Sequence, residues 1–136
     1  MVPEENNENM VGKRVCQTVI ITYLEVPKDK PPVEKIYSLA SSIDKEIKFK
    51  TSKDKVIVQG KIELLTMYKQ VDDLEEIIMQ QLDHSIDFDY ILSIPGVEAG
   101  MSTQVQTEIE YINYSLVDQR NIELEIIFRI TATVGR

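Results

Sequence analysis

Hydrophobic positions in the last third of the chain alternate with polar ones, as they do in long β-strands. From Asn121 to Val134 every second residue is apolar, which predicts a strand with one buried and one solvated face. The same alternation runs from Ile86 to Ile94 and from Val105 to Leu116. In the last of these segments the apolar phase changes near Tyr111, and one inserted residue produces such a change, so we expect a β-bulge there.

The N-terminal half predicts strands and one helical segment. Val15 to Val26 is rich in β-branched residues and has an unbroken apolar run in its middle, which is typical of a strand covered on both faces. Val33 to Ile43 follows two prolines and has apolar residues at helical spacing, so we expect a short helix or a pair of turns. Ile47 to Thr51 and Val56 to Leu64 predict a hairpin, and Gly60 inside it indicates a bulge or a close backbone approach.

The segment from Val71 to Leu82 fits either a helix or a strand, and propensity alone favours a helix. Together these elements predict an all-β domain, a mainly antiparallel β-sandwich or barrel with a long C-terminal hairpin and one or two short helices. The 136 residues fit one domain, which we place at 11–136. Met1 to Met10 is acidic and rich in Asn, and we expect it to be a flexible leader or an assembly arm.

Charge and composition narrow the classes of partner. The net charge of −8 argues against nucleic acid and anionic membrane surfaces as partners, because both are bound by clustered Lys and Arg. No apolar run approaches the roughly 18 residues of a membrane span, so we expect no membrane insertion. The leader lacks the basic start and apolar core of a secretory signal, and Cys16 is the only cysteine. We therefore expect synthesis in the cytoplasm, without an internal disulfide.

The residues that carry chemistry are few. His84 is the only histidine, which argues against His and Cys metal clusters, and a nucleophilic pair would require Cys16 to meet His84 in space. Asp83, Asp87 and Asp89 share one face of an extended strand. Alternate residues of a strand lie roughly 7 Å apart, too far for one calcium ion without a loop, so a solvated face is the favoured interpretation. We expect no enzymatic activity, no cofactor and no metal site.

Several apolar residues occupy positions where the strand pattern predicts polar ones. They are Ile57, Leu65, Met67, Ile91 and Ile127. Either the packing of the sandwich itself covers them, or they form a surface through which copies of the chain associate.

Four segments carry a family resemblance. They are Val26-Pro27 through Pro31-Pro32 to Ile36, Asp54 to Gly60, Ile94-Pro95-Gly96 with Gly100-Met101, and Glu108 to Tyr111 running on to Arg120. In order and spacing they resemble the SPOCS domain family, which is known from the clostridial spore-morphogenesis protein SipL. Some relatives carry a peptidoglycan-binding LysM module, but no LysM-like sequence precedes Val15 or follows Arg136, so we expect a bare SPOCS-like domain.

The resemblance implies a non-enzymatic all-β domain, made in the mother cell and ending in the spore envelope or on the spore surface. Its implied partners are further copies of itself and other spore-envelope proteins. We expect self-association through strand edges, the five apolar exceptions or the leader. The alternative is an adaptor that binds carbohydrate or peptide. Sugar sites expose aromatic rings. This chain has no Trp, and its six Tyr residues fall mostly at strand positions that the pattern assigns to the core, which disfavours the alternative.

Overall fold

The computed structural model describes residues 10–43, 45–72, 74 and 76–136, and the strands within them are antiparallel. The bounds are β1 Met10–Glu25, β2 Val33–Ile43, β3 Lys48–Ser52, β4 Lys55–Gln70, β5 Met79–Ser93, β6 Ser102–Asp118 and β7 Asn121–Gly135. No helix occurs in the described part of the chain. The all-β prediction is confirmed, and the one or two expected short helices are absent from these residues.

The strands form two sheets. In the three-stranded sheet, β7 lies in the centre and pairs with β1 on one side and with β6 on the other. In the four-stranded sheet, β4 is the centre, and β5 pairs with it along nearly its whole length. The other side of β4 is shared by β3, opposite 55–59, and β2, opposite 62–70. Each sheet therefore has one long central strand and two edges.

The inner faces of the two central strands form the core of a β-sandwich. All seven apolar residues that alternate along β7 are fully buried, as predicted; they are Ile122, Leu124, Ile126, Phe128, Ile130, Ala132 and Val134. Val56, Val58, Ile62 and Tyr68 of β4 are fully buried as well. The ring of Phe88 on β5 lies 5.1 Å from that of Phe128, centroid to centroid, which joins the sheets through an aromatic pair.

The segment predicted as helix or turns, Val33 to Ile43, is strand β2, and its bulges explain the error. Register shifts lie between Val33 and Lys35 and between Ile36 and Ser38. Each bulge adds one residue, so the inward-facing apolar residues fall three apart, at Val33, Ile36 and Leu39. Apolar residues three apart also mark a helix face, and periodicity alone cannot separate the two cases.

The ambiguous segment Val71 to Leu82 contains no helix among its described residues, so the helix that propensity favoured is wrong there. Strand β5 begins at Met79, seven residues before the alternating pattern becomes clear at Ile86. The segment before it is held by side-chain hydrogen bonds, since Asp72 accepts from the backbone N–H groups of Leu74 and Glu76. Asx-type bonds of this kind compete with helix formation.

Two local predictions are confirmed. The β6 bulge lies between Ile109 and Tyr111, within one residue of the predicted position. Gly60 marks a close approach, because a Cβ atom on it would lie 2.5 Å from Cζ of Phe88. The β4–β5 register runs through Gly60 without a shift, so no bulge occurs there.

A loop clasp closes one end of the sandwich. Asp54, in the β3–β4 turn, has a left-handed backbone with φ of 60°, and its Oδ1 accepts a 2.8 Å hydrogen bond from the N–H of Gly96. The backbone N–H of Asp54 donates to the carbonyl of Val97 at 2.8 Å, and Thr51 Oγ1 accepts from the N–H of Gly100 at 2.9 Å. The loop after β5 is thus fastened to the β3–β4 hairpin.

Candidate functional site

The five apolar exceptions lie on two different surfaces. Ile57 and Ile91 face each other across β4 and β5 on the outer face of the four-stranded sheet. Leu65 and Met67 lie on the same face, but eight and ten residues further along β4, so roughly 27–33 Å from Ile57. Ile127 lies on the outer face of the three-stranded sheet. The structure therefore does not bring the five together into one patch.

The packing of the sandwich does not bury these side chains. Ile91 is 64% exposed, and Ile57, Leu65, Met67 and Ile127 are half-buried. The sandwich has only two layers, and the outer face of each sheet is open to solvent in the described chain. The described chain provides no further cover for these residues.

A larger apolar patch lies around Ile127, and sequence reasoning missed most of it. We call it the outer apolar patch; its members are Val15, Val19, Ile21 and Tyr23 of β1, Tyr111 of β6 and Ile127 of β7. The four β1 side chains are 51–63% exposed and that of Tyr111 is 52% exposed. Val19, Ile127 and Tyr111 are directly opposite one another, so one apolar row crosses all three strands.

The outer apolar patch overturns the expectation that both faces of β1 are covered. Cys16, Ile20 and Leu24 of β1 point into the sandwich, whereas the alternating residues on the other side face solvent. The run Val19-Ile20-Ile21 was the signal that could have located the patch. The run indicates a strand covered on both faces, and the sequence does not say whether the cover comes from the same chain.

Within the described residues, the outer edge of β1 is open as well as its outer face. The N–H of Val26 donates to the carbonyl of Arg120 at 2.8 Å, and this bond fixes which residues of β1 bond to β7. In an antiparallel ladder the bonding residues alternate, so the even-numbered residues of β1 bond to β7. The odd-numbered residues from Lys13 to Glu25 direct their N–H and C=O groups away from β7, along the free edge.

Charged groups border the outer apolar patch in an uneven way. On one side of the Val19 row, Arg129 forms an ion pair with Glu108, and Gln17 donates to Glu110 at 3.1 Å. On the other side the face carries Glu123 and Glu125. On the outward-facing side of β1, the first residue is Lys13 and the last is Glu25. The strand that bounds the patch is therefore basic at one end and acidic at the other.

Cys16 and His84 are not brought together. Gly12 of β1 lies against Ile94 of β5, and Thr18 lies opposite Phe128, whose ring packs on Phe88. These contacts between the sheets place Cys16 near residue 90 of β5. That position is six residues, or roughly 20 Å, from His84. The Cys–His pair considered from the sequence is therefore excluded by the geometry.

His84 points into the sandwich near the end opposite the clasp. Its Nε2 is buried and has no hydrogen-bond partner in the described residues, and burial lowers the pKa of the imidazole, with Asp83 opposing that shift. Its cross-strand neighbour is Leu64. A neutral, desolvated histidine beside an aliphatic side chain belongs to the packing of the core edge.

Asp83, Asp87 and Asp89 lie on the outer face of β5, as the strand pattern predicted. Asp89 accepts a hydrogen bond from Gln59 Nε2 at 3.3 Å, and Asp83 accepts one from Gln81 Nε2 at 3.4 Å. The described residues contain no group of three or more side chains placed to hold a metal ion. The column has the geometry of a solvated strand face.

The clefts on the described surface do not have the aromatic lining of a sugar site. A cleft of about 510 Å³ beside Gly60 is lined mainly by charged and polar side chains, including Lys48, Lys61, Asp87 and Asp89, and by the edge of Phe88. The expectation that the tyrosines lie mostly in the core is wrong. Only Tyr68 is fully buried and Tyr90 half-buried, while Tyr23, Tyr37, Tyr111 and Tyr114 are exposed.

Residues 1–9, nearly all of the predicted leader, lie outside the described residues. Within the ranges that are described, no helix has the length and apolar character needed to cross a membrane.

Comparison with known proteins identifies the family. The family model described as SipL, SPOCS domain, matches residues 32–117, which is more than half of the chain and runs from the start of β2 almost to the end of β6. No curated protein and no solved structure matches the chain. Because the match covers more than half of the chain, the chain belongs to the SPOCS domain family.

Proposed function

We propose that this chain is a non-enzymatic structural or assembly protein of the bacterial spore envelope and that it acts by self-association. Membership of a sporulation-related domain family supports a spore-associated role. The envelope location and the self-association are our proposal, and the exposed surfaces of the fold support the self-association. The partner in this proposal is another copy of the chain, with other spore-envelope proteins as further partners.

The observation that carries the proposal is the outer apolar patch. Five of its six side chains are more than half exposed and Ile127 is half-buried, which leaves on the order of 400 Å² of apolar surface, as large as the largest patch on a typical monomer. Such a patch costs free energy when it is solvated, and contact with a second protein surface removes that cost. A protein with this surface is suited to protein contacts.

The second apolar pair, Ile57 with Ile91, adds a smaller contact on the opposite face of the sandwich. Two distinct surfaces on opposite faces allow one copy to contact two neighbours. If the two contacts are of different kinds, the assembly continues as a layer or a fibre, whereas a single two-fold contact ends at a dimer.

The test is the mass and shape of the purified chain, by light scattering and negative-stain microscopy over a range of concentrations. We expect defined oligomers, layers or fibres. Ile127→Lys places a charge in the centre of the outer apolar patch and is expected to weaken self-association at least tenfold, because a lysine must then be desolvated.

The matched control is Thr133→Lys, which adds the same charge to the same strand and the same face, beside Lys13 and outside the patch. We expect it to leave self-association nearly unchanged. A wild-type chain that is strictly monomeric at every concentration would refute the proposal and favour a different protein as partner.

A further inference from the structure

The four sheet edges of the sandwich differ in how they are protected against strand addition. Proteins protect an edge with charged side chains, bulges or short strands. On its outer face β5 carries three aspartates; β6 has two register shifts; and the remaining edge consists of β2, with two bulges, and β3, with only five residues. Each of these edges carries at least one protective device.

Strand β1 is the exception. It is 16 residues long, and its only register shift lies at the very start, between Met10 and Gly12. From Lys13 to Glu25 it contains no proline and no bulge, and its outward side chains are mainly apolar. A long, regular, apolar edge strand with free N–H and C=O groups is a template for another strand.

We propose that β1 pairs antiparallel with β1 of a second copy across a two-fold axis at Val19. The two three-stranded sheets then join into one six-stranded sheet, in the order β6, β7, β1 and then β1, β7, β6 of the partner subunit. This inference rests on the proposed function and deepens it, because it names the surface and the symmetry of one self-association contact.

Charge complementarity fixes the register. With Val19 on the axis, Lys13 lies opposite Glu25 of the partner subunit, and the reverse pair forms at the other end of the seam. Val15 then lies opposite Tyr23 of the partner subunit, so the apolar side chains meet between the two ion pairs. Opposite charges and mixed aromatic and β-branched pairs are the favourable cross-strand combinations.

Shifted registers lose this match. A shift of two residues in one direction puts Lys13 opposite Tyr23 of the partner subunit, and a shift in the other direction puts Glu25 opposite Val15 of the partner subunit. The odd-numbered residues carry the free backbone groups, so the proposed register aligns every one of them, from Lys13 to Glu25, with an odd-numbered partner. Backbone bonding excludes registers shifted by one residue, and the charges select this register over those shifted by two.

The seam also extends the apolar row. Tyr111, Ile127 and Val19 lie in register across one copy, and the two-fold axis places Val19 beside Val19 of the partner subunit. A single row of six apolar side chains then crosses the joined sheet. Such a row is a surface on which a further layer can pack.

Disulfide trapping tests the axis directly. In a Cys16→Ser background, Val19→Cys places two thiols across the axis in a hydrogen-bonded pair, with Cα atoms about 5.5 Å apart, within the range that a disulfide spans. Ile21→Cys in the same background is the matched control: the residue lies on the same strand and face with similar exposure. Its thiol would lie roughly 14 Å from its symmetry mate, too far to bridge.

We expect mild oxidation to convert the Val19→Cys chain to a covalent dimer rapidly and the Ile21→Cys chain slowly or not at all. Equal trapping of both variants would overturn the proposed register. Absence of trapping in a chain that still self-associates would overturn the β1 seam and leave self-association standing. A strictly monomeric chain would overturn both.

A charge swap provides the second test. Lys13→Glu places like charges opposite each other at both ends of the seam, and we expect the dimer dissociation constant to rise about tenfold at low salt. The double variant Lys13→Glu with Glu25→Lys restores both pairs and is expected to restore the affinity. Failure of the double variant to recover affinity lost by the single variant would contradict an antiparallel two-fold seam.

Discussion

Replacing Gly60 with Ala tests the packing that joins the two sheets, and the expected effect has a sign opposite to the usual one. An alanine in a regular strand normally stabilises a protein relative to glycine, by about 0.4–1 kcal/mol, because it restricts the unfolded chain. At Gly60 the added Cβ atom would lie 2.5 Å from Cζ and 2.8 Å from Cε2 of Phe88. That overlap is well inside van der Waals contact.

The ring of Phe88 has little room to move away. It is 5% exposed, lies directly opposite Gly60 and packs against the rings of Phe128 and Tyr90, at 5.1 and 6.1 Å between centroids. Overpacking of a filled core costs about 1–3 kcal/mol. We therefore expect Gly60→Ala to lower the free energy of unfolding by about 2 kcal/mol, which is a decrease of about 6–8 °C in Tm for a chain of this length.

The assay is urea and thermal unfolding of four chains: wild type, Gly60→Ala, Phe88→Leu and the double variant. Phe88→Leu alone leaves a cavity and is expected to cost about 1–2 kcal/mol. In the double variant the new methyl group fills part of that cavity, so the two changes should be favourably coupled by about 1 kcal/mol or more. Additive effects, or a stabilised Gly60→Ala chain, would refute the argument that the ring and the glycine fit each other.

Two further predictions concern single polar side chains. Burial lowers the pKa of His84 in the folded chain, so on acidification the unfolded chain binds a proton before the folded chain does. The contribution of neutral His84 to the free energy of unfolding should therefore be fully present above about pH 6.5 and should fall as the pH drops below that value. Urea midpoints between pH 5 and 8 should show this fall in the wild type and a smaller one in His84→Gln; identical profiles would exclude His84 as the source. Asp54→Asn should retain most of the stability, because Asn tolerates φ of 60° and accepts from Gly96, whereas Asp54→Ala should lose about 2–3 kcal/mol by thermal unfolding. Equal stability of the two Asp54 variants would show that the clasp does not contribute.

The residue pattern predicted strands where the ladder is regular and failed where it is not. Strand β7 keeps one register with β1 from Gly12 onward and alternates without interruption, so its core residues could be read from the sequence. Strand β2 has two bulges that space its inward residues three apart, and this spacing imitates a helix. The β6 bulge was found because a single slip in a long alternating run leaves both phases visible.

The candidate surface was found only in part, for a different physical reason. Ile127 was identified because it breaks the polar phase of a strand whose other residues alternate well. Val19 and Ile21 lie in an apolar run, where nothing distinguishes a residue buried by its own chain from one that a partner covers. Tyr111 sits at the bulge, where the phase itself changes, so its face could not be assigned before the register was known.

The error about β1 carries information about assembly. Its sequence has the composition of a strand covered on both faces, and in the described chain one face and one edge are open. The sequence of β1 is typical of a strand buried on both faces, whereas the described chain buries only one of them. A second molecule that covers the other face accounts for both observations. The family match begins at residue 32, after β1, so it neither requires nor excludes the seam in other members. We therefore expect relatives to share the strands from β2 to β6, and to share the β1 seam only where an apolar, regular edge strand with basic and acidic ends precedes the matched domain.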